Sequence, residues 1–221
     1  MLNSKYGTFL TVMLVIITIG ILGAIGWIIY TQIFNATEDP EEAIRRFERA
    51  IRDAQEEEEE LEGLEYRGQG PGNNAGGRQR RTRTYYEGFV MVGHIEIPAT
   101  GIRYPILERA TDRSLDVAVA VMWPENPEER LNRPGNVVIM GHNYRNRRFF
   151  SRNNRLNLGD TIYITDIRGS RVRYVIYQMF ETTAEDTSYI TRHVEEGVRE
   201  ITLTTCTDDS VRRFIVQARE G

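Results

Sequence analysis

The carboxyl-terminal part of the sequence predicts an all-β barrel or sandwich, preceded by an amino-terminal apolar segment and a stalk. From Tyr85 onward, short apolar or alternating segments recur, turn-forming residues bound them, and no long amphipathic helix intervenes. Many short strands at even spacing are typical of all-β barrels and sandwiches. Eight segments have the strand pattern: residues 92–97, 102–107, 117–123, 136–140, 161–165, 171–180, 200–205 and 213–219.

The composition excludes several function classes. The formal net charge is −4, whereas a nucleic-acid-binding domain is usually clearly basic, so no nucleic-acid partner is expected. The sequence has one cysteine, Cys206, so it can form neither an internal disulfide nor a cysteine-rich zinc site. We expect no metal and no cofactor. The count alone favours a buried structural role for this cysteine, because free cysteine behaves as a small hydrophobic residue.

The amino-terminal segment predicts a retained membrane anchor. Phe9 to Tyr30 is an uncharged, apolar run of about 22 residues, and residues 1–8 before it are expected to form a short cytoplasmic terminus. A helix of that length crosses a hydrocarbon core about 30 Å thick. A cleaved signal peptide is the alternative, but its apolar region is typically only about 7–15 residues long. The predicted topology is single-pass, with the amino terminus in the cytoplasm and the rest of the protein outside the cell membrane.

Residues 39–62 predict an acidic amphipathic helix. Asp39 suits the N-cap, and Pro40 suits the first helical position. Glu56 to Glu60 are five consecutive carboxylates, which are unfavourable near the negative end of the helix dipole, so the helix is expected to fray there. A lid or partner-docking helix and a solvated stalk are both open interpretations, and the stalk is favoured. One apolar stripe recurs at helical spacing: Ile44, Phe47 and Ile51.

Residues 63–84 predict a flexible linker before a domain that spans residues 85–221. Gly68 to Gly77 is rich in Gly, Asn and Pro, a composition that cannot bury a core. Inside the domain, Asp166 to Ser170 contains Gly169 and predicts a hairpin turn, and a short helix is expected near residues 110–115. Four arginines in or next to the linker are expected to be solvated, with contact to anionic lipid or wall polymer as the alternative: Arg78, Arg80, Arg81 and Arg83.

Strand alternation places Cys206 away from the core. Leu203 and Thr205 point to one side of their strand, and Leu203 is the obvious core residue. Cys206 therefore lies on the opposite face, at the end of the strand, and this position suits a nucleophile better than a core residue. Its companions on that face are Thr202 and Thr204.

The same alternation selects Arg213 rather than Arg212. Phe214, Val216 and Ala218 form the apolar, inward set of the last strand, so Arg213, Ile215 and Gln217 face outward. If this strand neighbours the strand of Cys206, Arg213 shares the face of the cysteine. A guanidinium in that position favours the thiolate and can donate hydrogen bonds to an oxyanion.

An acid–base partner for the cysteine would be one of three histidines. His94 lies within an early strand and is interpreted as structural. His193 lies in a polar segment and is interpreted as a surface residue. His142 follows Gly141 at the end of an apolar strand, where a loop begins, and loops carry many catalytic residues. His142 is therefore the preferred candidate.

Taken together, these motifs resemble the sortase family. Thr202 to Cys206 matches the pattern Thr-Leu-x-Thr-Cys, Gly141-His142 matches the histidine site, and Arg213 matches the arginine site. Gly93 to Pro98 and Arg103 to Ile106 resemble the two opening strands. The order of His, Cys and Arg also fits, and the subclass most resembles class B. No Asp-Pro-Trp or Asp-Pro-Phe lid motif of the pilin-polymerising class is present.

The resemblance implies an eight-stranded sortase-type β-barrel with short helices, and a membrane-anchored cysteine transpeptidase. Cys206 would attack a threonyl carbonyl in the C-terminal sorting signal of a surface protein, of the Leu-Pro-x-Thr-Gly kind. His142 would transfer protons, and Arg213 would stabilise the oxyanion. An amine of a cell-wall precursor or of another protein would resolve the thioester. Thr205 and Asp208 would be substrate-binding residues.

Two alternatives remain at this point. A papain-like wall hydrolase would place its cysteine before its histidine in sequence, and here the order is reversed. A non-catalytic, membrane-anchored β-domain that binds wall polymer or a partner protein would not require Cys206, His142 and Arg213 to meet in space.

Overall fold

The computed structural model describes residues 4–34, 38–66 and 83–221. The chain divides into two compact units, Met1–Thr37 and Glu38–Gly221. The predicted linker segment from Gly68 to Gly77, with Arg78, Arg80 and Arg81, lies outside the described residues.

The first unit contains helix α1, Ser4–Phe34. Its apolar side chains between residues 9 and 25 are largely exposed; Phe9 and Leu22, for example, are each 62% exposed. Over the described residues, no helix combines the length and the hydropathy that a membrane crossing requires. The transmembrane anchor predicted over residues 9–30 is therefore not confirmed.

The second unit contains nine strands and three α-helices among its described residues. The strands are β1 Thr84–Tyr86, β2 Phe89–Ile97, β3 Ile102–Leu107, β4 Val119–Trp123, β5 Gly135–Met140, β6 Thr161–Asp166, β7 Arg171–Thr183, β8 Arg199–Cys206 and β9 Arg212–Glu220. The helices are α2 Pro40–Tyr66, α3 Asp112–Leu115 and α4 Pro127–Arg130, with a 3₁₀ turn at Asn153–Arg155.

Eight of these strands close a barrel, as predicted. The order is β2-β3-β4-β5-β8-β9-β7-β6, and pairing of β6 with β2 closes it, while β1 extends the β2 edge. The predicted hairpin joins β6 to β7, and Gly169 there has a φ of 76°, a conformation that favours glycine. Two neighbouring pairs position the site: β5 runs parallel to β8, and β8 runs antiparallel to β9.

The barrel interior holds the apolar face of each strand. Leu203, Val216 and Ala218 are fully buried there, and Phe214 packs against them, as the alternation predicted. Ile215 points to the other face but is also fully buried, because it packs with Tyr189 and Ile190 outside the barrel. Ile215 therefore faces outward from the barrel, as predicted, but it is not exposed to solvent.

Helix α2 begins where the sequence predicted and ends later. Asp39 Oδ1 accepts a hydrogen bond from the Glu41 backbone N–H at 3.0 Å, as an N-cap does. The helix continues through Glu56 to Glu60 and ends at Tyr66, so the predicted fraying is wrong and residues 63–66 belong to the helix. At the other boundary, Thr84 belongs to strand β1 and not to a linker.

The first turns of α2 pack onto the barrel. Ala43, Ile44 and Phe47 are at most 2% exposed, and Phe47 lies in one apolar cluster with Met91 of β2. The solvated-stalk interpretation is therefore wrong for this part of the helix. Polar contacts reinforce the packing, since Arg103 of β3 pairs with both Glu41 and Glu48.

His94 of β2 lies beneath this helix and is structural, as predicted. Its side chain is 1% exposed, and its Nε2 lies 3.2 Å from Glu48 Oε1 without forming a hydrogen bond. Burial, together with the cations Arg103 and Arg171, lowers the pKa of His94 from 6.5 to about 4, against the opposing effect of Glu96. The same Glu48 oxygen pairs with Arg103 at 3.1 Å.

This burial predicts a loss of stability in mild acid. Below pH 6.5, His94 binds a proton in the unfolded chain but stays neutral in the folded protein, so folding becomes less favourable as the pH falls. The stability that neutral His94 contributes is therefore fully present above pH 6.5 and is lost as the pH falls towards about 4. Between pH 7 and pH 5 we expect about 2 kcal/mol less stability from this group. Urea unfolding at both pH values measures it. His94→Gln should reduce the difference, whereas the exposed His193→Gln should keep it; an unchanged difference in His94→Gln would contradict the assignment.

Candidate active site

Cys206 and Arg213 lie side by side at the ends of β8 and β9. The two residues are directly paired across the strands, and Arg213 Nη1 donates to Cys206 Sγ at 3.0 Å. Arg212 instead forms an ion pair with Glu181 at 3.0 Å. The alternation of the two strands therefore selected the arginine that contacts the sulfur.

The parallel pairing of β5 with β8 brings the loop of His142 to the same end of the barrel. Met140 is opposite Thr204, and the Gly141 backbone N–H donates to the Thr204 carbonyl at 3.2 Å. Gly141 is needed for space, because a Cβ there would lie 2.8 Å from Phe150 and 2.9 Å from a Val119 methyl. His142 and Cys206 then line one open cleft of ≈ 540 Å³.

We call this the histidine cleft; it is lined by His142, Asn143, Tyr144, Arg145, Cys206 and Ser210. The His142 imidazole lies near an aromatic ring and a carboxylate. Its ring centroid lies 4.9 Å from that of Tyr144, and its Nε2 lies 3.9 Å from Asp116 Oδ1. The Tyr144 hydroxyl donates to the same carboxylate oxygen at 2.9 Å, so the three side chains form one contiguous array.

The other two histidines lie elsewhere. His94 is buried under α2, and His193 is exposed in the segment between β7 and β8. His142 is thus the histidine that shares a cleft with the cysteine in the described part of the chain.

A second cleft adjoins Cys206 and contains Thr205 and Asp208. It measures ≈ 270 Å³, and we call it the acidic cleft; its lining includes Glu181, Thr205, Cys206, Asp208, Asp209 and Phe214. Thr205 is 3% exposed, and its hydroxyl has no hydrogen-bond partner among the described residues. Asp208 is held by two side-chain amides, those of Asn143 at 2.9 Å and Asn154 at 3.2 Å.

Three residues at the site were not predicted from the sequence: Asn143, Tyr144 and Asp116. Asn143 joins the two clefts, because its amide donates both to the Cys206 carbonyl at 3.1 Å and to Asp208. Asn143 and Tyr144 directly follow His142, and this adjacency is the signal that could have identified them. Asp116 follows helix α3, and nothing in its local sequence points to His142.

The arrangement suits acyl transfer at a thiol. A sulfur nucleophile, a guanidinium donor and an imidazole come together at one end of the barrel, beside clefts that open to solvent. Within residues 4–34, 38–66 and 83–221, no three His, Cys, Asp or Glu side chains are grouped so that they could hold a metal ion.

Comparisons with known proteins identify the family and the fold of the chain. A family model described as Sortase domain matches residues 95–221. Sortase A of Bacillus anthracis is 29% identical over 129 residues, which is 57% of this chain and 58% of that protein. The chain therefore matches less than two thirds of the length of this relative.

Solved structures show the same fold. Sortase C-1 of Actinomyces oris is 24% identical, with a TM-score of 0.52 over 58% of this chain and 72% of that one. A Clostridium perfringens structure described as a Sortase D5 transpeptidase is 25% identical, with a TM-score of 0.50 over 59% of this chain and 79% of that one. These names do not confirm the predicted resemblance to class B.

Proposed function

Because this chain belongs to the sortase family, we propose that it is a cysteine transpeptidase that cleaves surface proteins at a C-terminal sorting signal. The observation that carries the proposal is the 3.0 Å contact between Arg213 Nη1 and Cys206 Sγ, next to the cleft that contains His142. We assign Cys206 as the nucleophile, Arg213 as the charge-stabilising donor and His142 as the proton-transfer group.

In the first half-reaction, Cys206 Sγ attacks the carbonyl carbon of a threonyl residue in the sorting signal. The C–S bond forms, and negative charge develops on the carbonyl oxygen, where the Arg213 guanidinium can donate. The C–N bond then breaks, His142 protonates the leaving amine, and the acyl group remains on Cys206 as a thioester.

In the second half-reaction, an amine attacks the thioester. The N–C bond forms, His142 accepts a proton from the nitrogen, and the C–S bond breaks to release Cys206. The acceptor is an amine of a cell-wall precursor or of another protein, and water is the competing acceptor. Both half-reactions use the same three side chains, since each passes through a tetrahedral oxyanion at the same carbon.

We further propose that the protein is anchored in the cell membrane by residues 9–30, with the amino terminus in the cytoplasm and residues 85–221 outside. The support is the uncharged apolar run from Phe9 to Tyr30 and the exposure of its side chains up to Ile25. Protease added to intact cells should digest the carboxyl-terminal domain. Digestion only after the cells are lysed would contradict this topology.

A peptide library tests the proposed activity. The full-length chain is incubated with peptides that vary around the Leu-Pro-x-Thr-Gly pattern, with and without a primary amine. We expect cleavage after the threonyl residue, slow hydrolysis without the amine, and an amide-linked product when the amine is present. Mass spectrometry identifies both products. Cleavage without any transfer to the amine would indicate a hydrolase, and the absence of both would reject the proposed chemistry.

A further inference from the structure

Two clefts meet at Cys206, and they differ in charge. The lining of the histidine cleft includes the cation Arg145 and no carboxylate; Asp116 contacts His142 and Tyr144 but is not part of the lining. The acidic cleft contains three carboxylates, Glu181, Asp208 and Asp209. A transpeptidase must bring two substrates to one sulfur, an acyl donor and an amine, so a difference between the clefts bears on where each substrate binds.

Among the described residues, no cation forms an ion pair with Asp208 or Asp209 in the acidic cleft. Glu181 pairs with Arg212, but the groups that donate to Asp208 are uncharged amides. Asp209 likewise accepts from the Thr207 hydroxyl and the Val211 backbone N–H, and these hydrogen bonds lower its pKa. Asp208 and Asp209 therefore have no ion-pair partner in the described part of the chain.

A second observation in the same cleft points to a missing hydrogen-bond partner. Thr205 is 3% exposed and lines the cleft, yet its hydroxyl has no hydrogen-bond partner among the described residues. A buried polar group without a partner is costly, and native structures usually satisfy it. An N–H donor on a ligand could bond to the Thr205 hydroxyl oxygen, and a positive charge on the same ligand would complement the Asp208 carboxylate.

We propose that the acidic cleft binds the amine acceptor in its ammonium form, with Asp208 as the main recognition group. This inference rests on the transpeptidase function proposed above. The ligand class is a primary amine that is protonated at neutral pH, such as a lysine-type or α-amino group. The cleft is small, at ≈ 270 Å³, so it accepts the amine-bearing group and not a folded partner.

The proton balance of the transfer is simple. The bound ammonium first releases one proton to solvent, and the free amine then attacks the thioester carbon. The N–C bond forms, the second proton passes to His142, and the C–S bond breaks so that sulfur leaves as the thiolate. Asp208 takes no proton in this sequence; it concentrates the amine next to Cys206.

The test measures how the thioester partitions between amine and water, which does not depend on how fast the thioester forms. The acceptors are Nα-acetyl-lysine amide, a cation, and hydroxylamine, which is largely uncharged at neutral pH. For Asp208→Asn in the full-length chain, we expect the transfer-to-hydrolysis ratio to fall roughly tenfold with the lysine amide, as for loss of one charge-assisted hydrogen bond. With hydroxylamine it should change less than about twofold.

A matched control and a second measurement keep the test decisive. Asp53→Asn removes the same charge from the exposed face of α2 and should leave both ratios unchanged. In the unaltered protein, raising ionic strength from about 0.1 M to about 1 M shortens the Debye length from about 10 Å to about 3 Å and should lower only the lysine-amide ratio.

The possible failures are distinguishable. Three outcomes would overturn the assignment of the cleft without affecting the proposed transpeptidase function. In Asp208→Asn, the transfer-to-hydrolysis ratio could fall equally for both acceptors, or it could fall for neither. In the unaltered protein, the lysine-amide ratio could be independent of ionic strength. Absence of any thioester in the unaltered protein would overturn the proposed function and this inference together.

Discussion

Cys206→Ala is expected to abolish cleavage of sorting peptides, with a loss of more than about 10⁴-fold. Removing the nucleophile of a covalent mechanism eliminates the thioester and leaves only the modest catalysis that binding and oxyanion stabilisation provide. Steady-state cleavage and trapping of the acyl-enzyme by mass spectrometry measure the effect. The free energy of unfolding should change little, because the thiol is partly exposed at the end of β8.

The sequence offers an independent check of the same assignment. Cys206 is its only cysteine, so alkylation with iodoacetamide modifies one known position. We expect a single mass increase and loss of activity in step with modification. Full activity after complete alkylation, or cleavage by Cys206→Ala near the normal rate, would remove Cys206 from the mechanism.

Arg213→Gln is expected to lower kcat by about 10²–10³-fold, the usual cost of losing one donor to a developing oxyanion. The neighbouring Arg212→Gln is the matched control, because it removes the same charge one residue away. Arg212 pairs with Glu181, and both side chains are about half exposed, at 50% and 45%. Such surface pairs contribute little, so its hydrolysis rate should change less than about threefold.

Arg213→Lys separates charge from geometry. Lysine keeps the positive charge but lacks the planar fork of guanidinium donors, so we expect an activity between those of the unaltered protein and Arg213→Gln. Comparable losses in the two glutamine variants would show that charge near the cleft, and not the contact with Cys206, determines the rate.

The alternation of two strands was enough to predict which side chains share a face. Leu203 and Val216 are apolar and point into the barrel, which fixes the directions of Cys206 and Arg213 by the geometry of the extended chain. This inference needs no knowledge of the rest of the fold, apart from the adjacency of β8 and β9. That adjacency is what the resemblance to the sortase family added.

Burial of the outer face could not be predicted in the same way. Thr202, Thr204 and Ile215 point away from the interior but are fully buried. The segment between β7 and β8 covers Thr204 and Ile215; Tyr189, for example, reaches the Thr204 hydroxyl at 3.3 Å. That segment has no regular periodicity, so its sequence does not reveal which surface it covers. Glu200 is buried by the same cover and pairs with Arg192 and Arg219.

Helix α2 shows the same limit at longer range. Its apolar stripe was visible in the sequence, but Ile44, Phe47 and Ile51 alone do not specify a partner. The partner is set by Met91 on β2 and by the ion pairs of Arg103, which are distant in sequence. Local patterns therefore predicted the helix, and only tertiary contacts decided between a stalk and a packed element.

The parallel pairing of β5 with β8 has a consequence for how the protein folds. Strands β6 and β7 lie between them in sequence, so the loop of His142 and the end of β8 meet only through a contact of high sequence separation. Closing such a loop costs chain entropy before any contact compensates for it, and proteins dominated by such contacts fold slowly. In a refolding experiment, activity should therefore recover together with the slowest kinetic phase of structure formation, and it should never recover before that phase.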